Sequence, residues 1–129
     1  MITSVPLTAV LPVSDLDRAA SFYRDRLGLP DAGVEPTGNH LLRAGGGATI
    51  ALMAAEEGAQ SKHTVLTFEV TSIDSEVKDL EARGVSFLDY DEPEIRTVDH
   101  IAEMNGEKAA WFTDTEGNIL CLHETSMAG

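Results

Sequence analysis

The chain has 129 residues and a formal net charge of −13, with nine Lys and Arg against 22 Asp and Glu. Such a length builds one domain with a real core and falls short of two independent ones, while the charge excludes a nucleic-acid binder, whose phosphate contacts need clustered cations. A single Cys excludes an internal disulfide and fits a reducing compartment, and no apolar run nears the ~20 residues that span a bilayer, nor is there a signal-peptide pattern, so the cytoplasm is expected.

Leu7 to Val13 is apolar and β-branched enough for a strand, with Pro6 at its start and Pro12 marking an edge or irregular end. Ser14 then stands where it can cap a helix, and Asp17 puts negative charge in the first turn. Leu16, Ala19, Ala20, Tyr23 and Leu27 fall at helical spacing, and Gly28 sits where a helix stops. Leu29 to Val34 is a weak strand interrupted by Pro30 and Asp31. His40 to Ala44 and Ala48 to Met53 make a strand pair around Gly45-Gly46-Gly47, which joins strands and precedes no helix, so it is not a phosphate loop.

Residues 54–62 lack periodicity and read as a linker, after which the pattern restarts. Thr64 to Val70 alternates as a strand, Thr71 and Asp74 repeat the cap, and Ile73, Val77 and Leu80 give a helical stripe ended by Gly84. Val85 to Tyr90 is the next strand, and residues 91–107 form a long charged loop. Finally, Ala109 to Phe112 and Ile119 to Leu122 flank the turn-forming Asp114-Thr115-Glu116-Gly117-Asn118, which predicts a hairpin. Val13-Ser14-Asp15-Leu16-Asp17 aligns on Val70-Thr71-Ser72-Ile73-Asp74, so the chain uses a strand, a helix and three strands twice. The expectation is an α+β fold of two βαβββ modules, about 5–54 and 63–126 with a linker at about 55–62. Together they would form a curved mixed sheet, a cup, with helices outside and a hollow inside.

These residues resemble the vicinal oxygen chelate family, which includes glyoxalase I, bleomycin-resistance proteins and extradiol dioxygenases. The resemblance spans essentially the whole chain. It rests on the two aligned segments, on Phe22-Tyr23 and Leu27-Gly28-Leu29, on Leu80-Glu81-Ala82-Arg83-Gly84-Val85, and on Trp111 to Asn118. It implies paired modules forming a cup, usually in a homodimer, with the two halves of a cup supplied by one chain or by two. It also implies a divalent metal held by His and Glu from four strands, which would polarise vicinal substrate oxygens. Carried over, those ligand positions fall on Thr8, Ala51, Val65 and Cys121. None is His or Glu, and two of them have no donor atom.

Two chemistries remain to be weighed. Cys121-x-His123 with His63 is a conceivable zinc set, but its spacing is not a recognised signature and both histidines read as solvated rim residues. Cys121 as a nucleophile with His123 as its base is opposed by the distance of about 7 Å between alternate side chains on a strand. A buried, inert thiol is the preferred reading. No catalytic residue, metal or cofactor is therefore assigned.

Trp111 either lines the hollow, where its face would stack on an aromatic or cationic ligand, or fills it as core. Met53 and Thr67 share strand parity with the positions above, as does Thr49. The expected ligand-binding set is Thr8, Ala51, Met53, Val65, Thr67, Trp111, Cys121 and His123. The acidic run Asp89, Asp91, Glu92 and Glu94 reads as a solvated face, with a cation-attracting rim as its functional version. The leading expectation is a metal-free protein that binds an aromatic or cationic small molecule, without nucleic-acid or membrane partners. The alternative is a divalent-metal-dependent enzyme of the glyoxalase or dioxygenase type.

Overall fold

The computed structural model describes residues 1–125, so the expected end of the second module at 126 lies outside the described residues. The fold is mixed α+β, with two α-helices and two mixed sheets among the described residues. The chain divides into two compact units. The first holds Met1–Ser61 and the turn Asp114–Asn118; the second holds Lys62–Thr113 and, among the described residues, Ile119–Thr125.

In the first unit, β1 (Thr8–Val13), β2 (Asp31–Val34), β3 (His40–Arg43) and β4 (Thr49–Ala54) form a sheet in the order β1-β4-β3-β2. β1 runs parallel to β4, with Thr8 opposite Thr49, Val10 opposite Ala51 and Pro12 opposite Met53. Side chains alternate across a strand, so one face carries Leu11, Val13, Leu42, Ile50 and Leu52, all buried. The helix α1 (Leu16–Ser21) contributes buried Ala19 and Ala20. It then widens into one π turn, Phe22–Arg26, closed by the Leu27 N–H donating to the Phe22 carbonyl. That extra residue per turn carries Phe22 into the core beside Tyr23, the two rings meeting edge to face. A plain helical stripe predicts Tyr23 inside but passes over Phe22.

In the second unit, β5 (Thr64–Glu69) is followed by α2 (Ile73–Ala82) and the strands β6 (Phe87–Leu88), β7 (Asp91–Glu92), β8 (Ile95–Val98), β9 (Ile101–Met104), β10 (Glu107–Thr113) and β11 (Ile119–Thr125). Their order is β5-β11-β10-β9-β8-β7, with β6 also paired to β10. Ile73, Val77 and Leu80 of α2 are buried, as are Ala110, Phe112, Leu120 and Leu122 on one face of β10 and β11. Burying each larger apolar side chain is worth about 1.5–3 kcal/mol, so this layer carries much of the unit's stability.

Three local expectations need correction. The strand predicted over Val85 to Tyr90 shrinks to Phe87–Leu88, and the long loop predicted over 91–107 is instead a run of tight hairpins. The Asp99-His100 turn reaches positive φ at both residues without glycine (52° and 72°), which hides it from a glycine-based search. Asn105-Gly106, at 52° and 82°, is the strongest two-residue hairpin signal and does mark the β9 to β10 turn.

The third correction concerns the caps. Asp15, not Ser14, caps α1 by accepting from the Arg18 N–H at 3.0 Å, and Ser72, not Thr71, stands at the N-cap of α2 without a side-chain cap. In both helices a distant carboxylate completes the job. Glu116 accepts from the backbone N–H groups of Ser14 and Asp15, each at 3.0 Å, and Glu124 accepts from the Ile73 N–H at 2.8 Å. Orphan helix donors satisfied in this way also gain from the helix dipole.

Candidate functional site

Opposite the helix side, each sheet has a second face. In the first unit it carries Thr8, Val10 and Pro12 of β1, Thr49, Ala51 and Met53 of β4, and Leu41 and Arg43 of β3. Ala51 is buried, whereas Val10 and Met53 are 52% and 42% exposed. Three of the predicted site residues, Thr8, Ala51 and Met53, thus share one face. That face is largely apolar and presents hydroxyls from Thr8 and Thr49.

In the second unit the register sets Thr67 opposite Cys121, Cys121 opposite Trp111, and Trp111 opposite Leu88. One rung further, Glu69 lies opposite His123 and His123 opposite Ala109, which in turn faces Ala102. Four more predicted residues, Thr67, Trp111, Cys121 and His123, are therefore brought together on one face. Val65 is different: the pairing of β5 with β11 shifts between Ile119 and Leu120, and Val65 has no register partner there. Its equivalence to an in-register strand position does not hold.

Trp111 is partly buried and meets the Tyr90 ring edge to face, with centroids 5.4 Å apart. The contact fixes the indole plane while leaving part of it accessible. Cys121 is buried, and burial pushes its thiol up to about 11. Its sulfur donates to the Leu122 carbonyl at 3.3 Å. A thiol so placed is held in its protonated form at neutral pH, which makes it a poor nucleophile.

His123 is not the solvated rim residue its position near a strand end suggested. Its Nδ1 lies 2.5 Å from Glu69 Oε1 and its Nε2 lies 2.5 Å from Glu107 Oε1, with only 25% of the side chain exposed. The hydrogen bonds to Glu69 and then to Glu107 raise its pKa. Sequence reasoning missed both glutamates. Glu69 follows Thr67 by one alternation and Glu107 precedes Ala109 by one, so strand parity would have found them once the parallel β5–β11 pairing was known.

Among the described residues no group of three or more His, Cys, Asp or Glu is placed to hold a metal ion, so Cys121, His123 and His63 do not assemble into one. The four positions carried over from metal-binding relatives hold Thr, Ala, Val and a protonated Cys, a donor set that does not fit a divalent ion. The acidic run is partly neutralised within its own unit: Asp91 pairs with Arg96 at 3.0 Å, and Asp89 with His100 at 2.9 Å. A groove of about 400 Å³ opens on the helix side of the second sheet, lined by Asp74, Arg96, Val98, Asp99, Ile101, Glu103 and Lys108. It lies off the face that carries Trp111, because Glu103 and Lys108 pair with each other on the opposite parity.

A second polar cluster belongs to the first unit and is structural. Asp114 accepts from the Tyr23 hydroxyl at 2.6 Å, from the Glu116 and Asn118 N–H groups, and from the Asn118 amide. Burial, then the Asp114 charge, drives the Tyr23 phenol far above its ordinary range, so it acts only as a donor. Beside it, Glu116 takes the Arg18 Nε–H at 2.7 Å and the Ser14 and Thr115 hydroxyls, and Arg18 above all lowers its carboxyl to about 2.

The arrangement of residues agrees with what the chain is similar to. The Glyoxalase/Bleomycin resistance protein/Dioxygenase superfamily model matches residues 6–122. The chain belongs to this superfamily. Solved structures of similar fold include TnmS3, an antibiotic binding protein from Streptomyces sp. CB03234, at 22% identity and a TM-score of 0.74 over 98% of this chain and 99% of that one. A superfamily member from Sphaerobacter thermophilus DSM 20745 matches at 25% identity and 0.72, covering 96% and 99%. A glyoxalase/bleomycin resistance protein from Streptomyces sp. CB03234 matches at 20% and 0.66, covering 92% and 98%. Among curated proteins no sequence matches this one. No helix among the described residues is long and apolar enough to cross a membrane.

Proposed function

We propose that this superfamily member binds a small aromatic or cationic molecule, performs no chemical step on it and needs no metal to do so. The observation that carries this reading is the placement of Trp111, the only tryptophan. It is partly accessible and braced by Tyr90, on the same sheet face as a thiol that burial keeps protonated. A braced indole offers a flat surface at small entropic cost, which is what capture of a planar molecule requires. Support also comes from residue chemistry, since Thr, Ala, Val and Cys stand where metal-binding relatives need His and Glu. The similarity to an antibiotic binding protein supports a sequestering role. In this reading Thr67, Trp111, Cys121 and His123, which share one face of the second sheet, are ligand-facing.

The working form is a cytoplasmic homodimer. The exposed Ile2, Val5, Leu7 and Val10, all on or before β1, form an apolar stretch that a second copy would cover. Light scattering reports the mass directly. Ligand capture is tested by following the single indole N–H resonance while planar aromatic compounds are titrated into protein treated with EDTA. Saturable shifts in the absence of metal support the proposal, and no shift with any compound across a broad panel removes it.

A further inference from the structure

Trp111 is braced by Tyr90, and Tyr90 sits on a segment with little sheet support of its own. Only Phe87 and Leu88 pair with β10, opposite Phe112 and Trp111, before the chain leaves the strand. The next two residues are held by the β8–β9 hairpin instead. The Tyr90 N–H donates to the Thr97 hydroxyl at 2.9 Å, the Thr97 N–H donates to the Tyr90 carbonyl at 2.8 Å, and the Thr97 hydroxyl donates to Asp89 Oδ1 at 3.1 Å.

The same carboxylate oxygen takes His100, at the tip of that hairpin. The ring places Nδ1 2.9 Å from Asp89 Oδ1 and Nε2 3.0 Å from Glu81 Oε2 of α2, and it stacks on Phe87 at 5.6 Å with the planes 23° apart. A carboxylate at neutral pH only accepts hydrogen bonds, so a ring nitrogen facing one carries a proton, and here both nitrogens face carboxylates. His100 is therefore an imidazolium, a cation over the face of a Phe ring that packs in turn on Phe112. The charged groups acting on it from other elements are Asp89 and Glu81, both anionic, while its chain neighbour Asp99 lines the groove. Asp99 and His100 stand at φ of 52° and 72° without glycine, a conformation kept where other contacts fix it.

We infer that the His100 imidazolium is a clasp that sets the Tyr90 brace on Trp111, tight while the ring is charged and slack once it is neutral. This rests on the proposed capture at Trp111 and supplies that site with its regulation. A neutral ring has one donor for two carboxylates, and the bond that survives is no longer charge-assisted, so the clasp loosens in either tautomer. The hydrogen bond to Asp89 above all raises the pKa of His100. The clasp is thus complete below the ordinary value of 6.5 and is lost as pH rises through the folded value. His100 is a positioning residue, acting through Asp89, Thr97 and Tyr90.

The imidazole resonances of His100 and the single indole N–H of Trp111 are followed together in the ligand-free protein from about pH 6 to about pH 9. Both should move with one midpoint, and Asp89→Asn should lower that midpoint for both together. His100→Gln, its fold checked by thermal melting, should abolish the Trp111 step, whereas His123→Gln should leave it in place. Tryptamine, whose ammonium stays charged over this range, should bind about fivefold tighter on the acid side of the step. The inference is overturned, with capture left standing, by a missing Trp111 step, a step that persists in His100→Gln, midpoints that separate in the wild type or in Asp89→Asn, or an affinity that is flat across the step. If His100→Gln does not fold, the midpoints in the wild type and Asp89→Asn still decide. Tryptamine that binds at no pH removes the capture reading, while the ligand-free step still decides the clasp.

Discussion

The two repeats share a plan and differ in what they show on the face away from their helices. The first presents Val10, Met53, Ala51, two threonines and one cation, Arg43; the second presents Trp111, His123 and a pair of glutamates. On the helix side they are alike, each a layer of buried Leu, Ile, Val, Phe and Ala. The contrast teaches that packing against the helix holds the duplicated fold, while the opposite face is free to specialise. In this chain the polar specialisation falls on the second repeat.

The sharpest way to break that comparison is to exchange its chemistry. Trp111→Ala should weaken tryptamine binding by about a hundredfold, as loss of an aromatic stack predicts. Met53→Ala, on the first sheet, should leave it within about twofold. Isothermal titration of the two variants measures both, and equal losses would erase the asymmetry.

The helix caps give the next largest effect. Glu116 has no exposed side-chain area and satisfies two backbone donors, two hydroxyls and Arg18, whereas Glu124 satisfies one backbone donor at Ile73. Glu116→Gln should therefore cost about 2 kcal/mol of unfolding free energy and Glu124→Gln about 1 kcal/mol, read from urea denaturation. The pH dependence follows from the sign of the shift. The folded-state carboxyl of Glu116 is held at about 2, below its ordinary value of 4.5, so its contribution is present above pH 4.5 and lost as pH falls toward 2. The Glu116→Gln variant should lose that part of the acid transition.

Much of the first repeat's fold was legible because its signals are local. The stripe of Ala19, Ala20 and Tyr23 and the stop at Gly28 lie within a few turns of each other, and the aligned Val13 and Val70 segments exposed the duplication. What stayed hidden depends on partners far along the chain. Glu116 caps a helix that begins a hundred residues earlier, and Glu69 reaches His123 across 54 positions through a parallel pairing. The hairpins over 91–104 were hidden for another reason: strands of two to four residues set among charged ones, such as Ile95-Arg96-Thr97-Val98, look like solvated loop, and the Asp99-His100 turn has no glycine. The register shift that leaves Val65 without a partner on β11 is likewise invisible to strand periodicity.

Two smaller effects sharpen the account of the second sheet. Cys121, its thiol pushed to about 11, should resist iodoacetamide at pH 8 in the native protein and react fully once unfolded, a difference that mass spectrometry counts. His123 should contribute stability with the opposite pH sense to Glu116. Its folded pKa is raised, so the contribution is complete below the ordinary histidine value and fades as pH rises through the folded value. His123→Gln should flatten that alkaline slope in thermal melts, and an unchanged slope would remove the imidazolium.

The central claim is metal-independent capture at Trp111, and one titration tests it most directly. Tryptamine is added to EDTA-treated protein while the single indole N–H resonance is followed, before and after restoring zinc, manganese or nickel. The account predicts a saturable shift of the same midpoint in every case. A shift that appears only when a divalent ion is restored, or a stoichiometric ion that survives EDTA and is required for binding, would contradict it.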